Sequence, residues 1–120
     1  MIEKINLTDK LSRISEHWRP KTVATLNGQE VKVAKFQGTF VWHHHEDAEE
    51  MFLGVRGHFK VEFLDHEVEI GPGDIVVIPR GVEHRTVAEE EAEVLIFEAE
   101  NTRNTGNIVD ETFTAELERI

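Results

Sequence analysis

Trp42-His43-His44-His45-Glu46-Asp47-Ala48-Glu49-Glu50 carries more chemical information than any other part of this chain. Side chains of an extended segment alternate between faces, so His43 and His45 project to one side and His44 to the other. Two imidazoles on one face make half of a metal site. After a short turn, Glu50 opens an apolar segment and can return a carboxylate to the same neighbourhood. A fourth ligand must come from elsewhere, and His84 follows Pro79-Arg80-Gly81-Val82-Glu83 at the start of a further strand. Three neutral imidazoles and one carboxylate suit one divalent transition metal, whether Mn, Fe, Co, Ni, Cu or Zn; an octahedral ion would keep about two positions open for water or substrate. The competing reading is a surface strand with outward histidines, and Glu50 or His84 taken alone would be an ordinary surface group or satisfied histidine.

The flanking sequence speaks for strands. Val23-Ala-Thr-Leu26, Asn27-Gly28 and the alternating Val31-Lys-Val33 read as a hairpin, because Asn-Gly readily takes the positive φ angles of a type I′ turn. Period-two segments recur over Thr39–His45, Glu50–Val55, Phe59–Phe63, Val68–Ile70, Ile75–Ile78, His84–Val87 and Val94–Phe97. Asp65-His66 and Gly71-Pro72-Gly73-Asp74 separate them as turns, and Glu89-Glu90-Glu91 reads as a solvated loop. Many short strands at near-even spacing predict a sandwich or barrel. Ahead of them, Leu7, Leu11 and Ile14 behind the capping candidate Thr8 predict a short helix within residues 7–17.

The order Gly38-TFVW-His43-x-His45-x4-Glu50-x6-Gly57, then Gly73-x5-Pro79-x-Gly81-x2-His84, resembles the two motifs of the cupin superfamily, in particular its small single-domain members. The resemblance implies an all-β fold, the cupin-type double-stranded β-helix or jelly-roll barrel, and names His43, His45, Glu50 and His84 as the metal ligands. Two positions depart from the family pattern. Four residues rather than five separate Gly38 from His43, and Ala88 stands where an asparagine often follows the last ligand. The expected organisation is an N-terminal helix and hairpin over residues 1–30, the barrel over 31–100 and a C-terminal tail over 101–120.

Composition narrows the function. With 120 residues and 39% hydrophobic content the chain can build one core, and it contains neither Cys nor Tyr. A cysteine nucleophile or tyrosine base is therefore excluded, and a reducing cytoplasm is the expected setting. The N-terminal stretch lacks the apolar run of a secretory signal, and no run of about eighteen apolar residues suggests a membrane span. A net charge of −11 argues against nucleic acid as a partner.

Strand parity places Thr39, Val41, Phe52 and Gly54 on the side of the proposed ligands, giving a mostly apolar pocket suited to a small organic ligand with oxygen donors. The same parity puts Phe40, Trp42, Met51, Leu53 and Val55 on the other face, where a partner subunit or the N-terminal segment must cover them, a two-fold homodimer being the expected solution. Two functions follow, with a purely structural metal ranked behind both because structural sites usually lack open positions. The first is a metal-dependent enzyme, an isomerase, lyase or dioxygenase, acting on a small oxygen-bearing or sugar-like substrate. The second is a non-catalytic module that binds or senses a small molecule through the metal. Glu83, Arg80 and Gln37 are the candidates for a further acid or base, and Arg56, Arg80 and Arg85 are the cations available to a phosphate, with no cluster among them. His17, His58 and His66 are read as loop or edge residues, and His44 as an outer-face one.

Overall fold

The computed structural model describes residues 2–120, so only Met1 of the expected N-terminal unit lies outside the described residues. One helix and eight strands follow in chain order: α1 (Leu7–Ser12), β1 (Lys21–Leu26), β2 (Gln29–Thr39), β3 (Glu50–Arg56), β4 (Phe59–Phe63), β5 (Glu67–Ile70), β6 (Ile75–Ile78), β7 (His84–Ala99) and β8 (Glu118–Arg119). The architecture is an all-β jelly roll, as expected. No helix among the described residues is long and apolar enough to cross a membrane.

Its spine is the antiparallel pair of β2 and β7, in register from Gln29 opposite Ala99 to Thr39 opposite Val87. The second half of β7 pairs with β3 and the first half with β4, so this one strand belongs to both layers. A strand that changes layer must bend, and a bulge supplies the bend. Phe36 faces Ala92 and Gly38 faces Ala88, so the acidic run Glu89–Glu91 lies opposite Gln37 alone. The expected loop is thus a corner within a continuous strand. The three glutamates remain exposed because they occupy its outside.

The Asn27-Gly28 hairpin forms as its sequence demands, with φ of 51° and 74° at the two turn residues. The helix is shorter than expected, ending at Ser12, and its cap is Asn6 rather than Thr8: the Asn6 side chain accepts the Asp9 N–H at 2.9 Å. Leu11 and Ile14 nevertheless bury against Val23 and Val33, so the apolar spacing is used. The main core lies between the layers and contains Trp18, Phe36, Phe40, Phe52, Phe59, Val61, Ile78, Val94 and Ile96. The C-terminal stretch crosses back over this body. Asn104 donates to the carbonyls of Trp18 and Phe113, and β8 adds in parallel to β1.

The segment after β2 departs from the expected strand. The chain leaves the ladder at Thr39, and His43 meets the rest of the fold through one isolated bridge to His84. Alternation does not hold across this departure. Thr39 is exposed, whereas Phe40 turns into the core and stacks on Trp18, correcting both assignments made by parity.

Candidate metal centre

Each candidate ligand is placed by a different local device. Glu50 is the first residue of β3 and inherits the inward phase of Phe52 and Gly54. His84 is the first residue of β7 and is wholly buried. Reciprocal backbone bonds of 2.9 Å between His43 and His84 fix the bridge, and the bend before His84 is tied to the same loop by the Gly81 N–H donating to the His45 carbonyl at 2.7 Å. Gly81 has a φ of 78°, which is why a glycine follows Pro79-Arg80. Gly106 serves the other side of the loop: a Cβ there would collide with the backbone of His44.

These devices bring all four residues together. Ligand atoms of His43, His45, Glu50 and His84 lie within 4.8 Å of one another, and the group could hold a metal ion. The imidazole centroids of His43 and His84 are 4.3 Å apart, and that of His45 is 5.1 Å from His43. Tautomers follow from the surroundings. His43 Nδ1 lies 2.9 Å from the Val41 carbonyl and His84 Nδ1 lies 2.8 Å from the Val82 carbonyl. A carbonyl only accepts, so each Nδ1 carries the proton, and in the neutral ring Nε2 keeps a free lone pair. Burial, and then the neighbouring His84, push His43 down to about 4, which keeps it neutral near pH 7.

The polar atoms at the centre lack partners. His45 Nε2, Glu50 Oε1 and His84 Nε2 are buried with no hydrogen bond. Glu50 Oε1 stands 3.5 Å from His45 Nε2 and 3.6 Å from His84 Nε2, beyond good hydrogen-bond distance. Leaving a buried polar atom unsatisfied costs about 1–3 kcal/mol, and three at one point are what a cation between them would relieve. The donor set fits a divalent transition metal.

A cupin-domain family model matches residues 29–99, well over half of the chain. The chain belongs to the cupin family. Among solved structures, this cupin resembles a cupin-2 domain protein of Shewanella frigidimarina, with 39% identity, coverage of 79% of this chain and 93% of the other, and a TM-score of 0.78. It also resembles protein NMB1881 of Neisseria meningitidis, with 30% identity, coverage of 81% and 99%, and a TM-score of 0.75. The Bacillus subtilis protein YdbB is 30% identical over 104 residues, covering 78% of this chain and 92% of that relative.

Two spaces border three of the four residues of this cupin, His84 lining neither. An inner cavity walled by Trp18, Phe36, Phe40 and Phe52 touches His43 and Glu50. An open groove of about 520 Å³ runs between Glu46–Ala48 and the 99–107 segment, with His45 in its wall. None of the three candidates for a further acid or base lines either space. Glu83 is turned to His44, 2.8 Å away, and Arg80 and Gln37 are exposed. Arg85 pairs with Glu62 at 2.6 Å and stacks over Trp42. His44 also reaches Glu46, at 3.2 Å, and so faces outward as expected. His17 pairs with Glu91, and His66 with Asp65.

Four buried charged residues, Lys21, Glu30, Lys32 and Glu98, escaped the reading of the sequence, the last two being the deepest. Glu98 and Lys32 are each 2% exposed, and their side chains meet at 2.9 Å. Glu98 is also the register partner of Glu50, and both residues line the inner cavity. Burial, and then the charge of Glu50, push Glu98 well above the usual carboxylate range. Burial pushes Glu50 the same way, but its contacts with His45, His84 and Glu98 outweigh that and hold it low. The available signal was phase. Lys32 alternates with Ala34 and Phe36, and Glu98 with Val94 and Ile96, all inward residues.

Proposed function

We propose that this cupin binds one divalent transition metal through His43, His45, Glu50 and His84, and that it is a metal-dependent enzyme acting on a small oxygen-bearing organic or sugar-like substrate as an isomerase, lyase or dioxygenase. The observation that carries this reading is the convergence of three buried, unpartnered ligand atoms on one point. When bound, such an ion supplies a Lewis acid that polarises a carbonyl or hydroxyl. The chain's own part is geometric. The carbonyls of Val41 and Val82 orient the rings of His43 and His84, the phenylalanine walls exclude water from the inner side, and the groove beside His45 admits a polar molecule.

Protein purified without a histidine tag or added metal should carry close to one metal ion per chain by elemental analysis. A metal content near zero that also fails to rise after dialysis against Mn²⁺, Co²⁺ or Zn²⁺ would refute the site. One observation favours the second reading, a non-catalytic binding module: Glu83, Arg80 and Gln37 line neither space, the acids and bases there, besides the proposed ligands, being Glu98 in the cavity and Glu46, Asp47, Glu100 and Arg103 in the groove. A thermal-shift screen of small oxygen-bearing compounds, followed by product analysis of the hits, separates the two. Binding without turnover would select the module.

A homodimer is part of the same proposal. Met51, Leu53, Leu95 and Phe97 are only half-buried on the outer face, and Ile75 and Val77 on the adjoining strand are 59% and 52% exposed. Helix α1 covers a different part of that face, around Val33 and Val55. Light scattering after size exclusion should give about twice the 13.8 kDa chain mass. A monodisperse monomer at micromolar concentration would refute the dimer.

A further inference from the structure

We infer that Glu98, held by Lys32, is the positioning residue for Glu50 and sets how tightly the metal centre binds its cation. The inference rests on the proposed metal site and adds a second layer to it.

A charged pair at the centre of a small β-fold calls for a reason. Replacing such a pair by apolar side chains of similar volume is often neutral or stabilising, so its presence is poorly explained by stability alone. Its location supplies the reason. Glu98 lies on β7 directly opposite Glu50 on β3, while Lys32 comes from β2 on the other side of β7. Glu98 Oε1 accepts from Lys32 Nζ at 2.9 Å, and Lys32 also donates to the Thr102 carbonyl at 3.3 Å. The other oxygen, Oε2, is buried without a hydrogen-bond partner, and Glu98 and its register partner Glu50 line the same inner cavity. Lys32 therefore fixes Glu98, and Glu98 limits the positions open to Glu50.

Without that wall, the Glu50 carboxyl would be free to turn toward the cavity, away from the histidines. With it, a bound cation finds the carboxylate already aimed. Groups behind metal ligands typically change affinity by about 10–100-fold when removed. Glu98 and Lys32 act through Glu50, and no direct contact of either with a bound metal is required.

The experiment uses the full chain stripped with chelator and titrated with Co²⁺, reading affinity by competition with a chromophoric chelator and ligand geometry by visible absorption. Glu98→Ala should weaken Co²⁺ binding by about 10–100-fold and alter the spectrum. Glu98→Gln, which can still meet both Lys32 and Glu50, should restore most of the affinity. The double variant Lys32→Met with Glu98→Leu removes the pair without stranding a charge. It should unfold near the parent's midpoint yet show the same loss of affinity as Glu98→Ala. Parent-like affinity and spectrum in both Glu98→Ala and the double variant would overturn the inference and leave the metal site standing. Loss in Glu98→Gln equal to that in Glu98→Ala would overturn the positioning role. A parent chain that takes up no Co²⁺ would overturn the metal reading itself, and this inference with it.

Discussion

His84→Ala should strip the protein of most of its metal while leaving the β-fold in place. His84 is wholly buried, and its ring has two jobs: Nδ1–H donates to the Val82 carbonyl, and Nε2 points at the unpartnered cluster. Alanine removes both while keeping the backbone bridge, whose 2.9 Å bonds to His43 involve no side chain. Three ligands would remain, and metal content after dialysis should fall to a small fraction of the parent's. The cost in stability without metal should be about 2–5 kcal/mol, the range for truncating a large buried side chain, with far-ultraviolet dichroism unchanged. The metal-bound parent should lose more, because a ligand present at about 1,000 times its dissociation constant adds about 4 kcal/mol. Chelator should therefore lower the melting temperature of the parent and leave that of His84→Ala nearly unmoved. His43→Ala should behave alike, since its ring is held in the same manner by Val41. Full metal stoichiometry in both variants would end the ligand assignment.

The readability of this fold differed from one segment to another for physical reasons. Asn27-Gly28 was legible because few residue pairs accept two positive φ values, and its turn formed as written. Strand β3 was legible because Glu50, Phe52 and Gly54 keep one phase against ladders on both sides. The segment from Phe40 to His45 lacks a continuous ladder, so nothing enforces period two there, and Phe40 turned inward where alternation placed it outside. His43 and His45 came together all the same, through the bridge to His84 and the bond from Gly81 to the loop carbonyl. Glu89–Glu91 misled in the opposite sense. Charge reported its exposure correctly, but charge cannot distinguish a loop from the outside of a bent strand. Lys32 and Glu98 were passed over because a charged residue is ordinarily assigned to the surface, even when it falls in step with inward neighbours.

Trp18→Ala should be among the most damaging single truncations outside the metal centre. Trp18 precedes the first strand, yet its ring stacks on Phe36 of β2 at 4.5 Å and on Phe40 of the ligand loop at 4.8 Å, and meets the edge of Phe113 from the C-terminal stretch at 6.4 Å. Its indole N–H donates to the Gln37 carbonyl at 2.8 Å, at the bulge where the spine bends. Three separate parts of the chain, β2, the ligand loop and the C-terminal stretch, thus close on one side chain. Removing a buried tryptophan costs about 3–5 kcal/mol, a large share of the 5–15 kcal/mol typical of a domain. Urea unfolding followed by dichroism should report that loss as a lowered midpoint. Trp18→Phe keeps the stacking, forfeits the bond to Gln37, and should cost less. Trp42→Ala is the contrast. That ring is half-buried and mainly carries the guanidinium of Arg85, a surface contact worth about 0.5–1 kcal/mol. The damage from Trp18→Ala should also reach the metal, because Phe40 stands edge-on to His43 at 5.4 Å and loses its principal support. Metal affinity should therefore fall in Trp18→Ala and hold in Trp42→Ala, although neither tryptophan is a ligand. Equal midpoints and equal affinities in the two variants would show that Trp18 is not the point at which the ligand loop is anchored to the core.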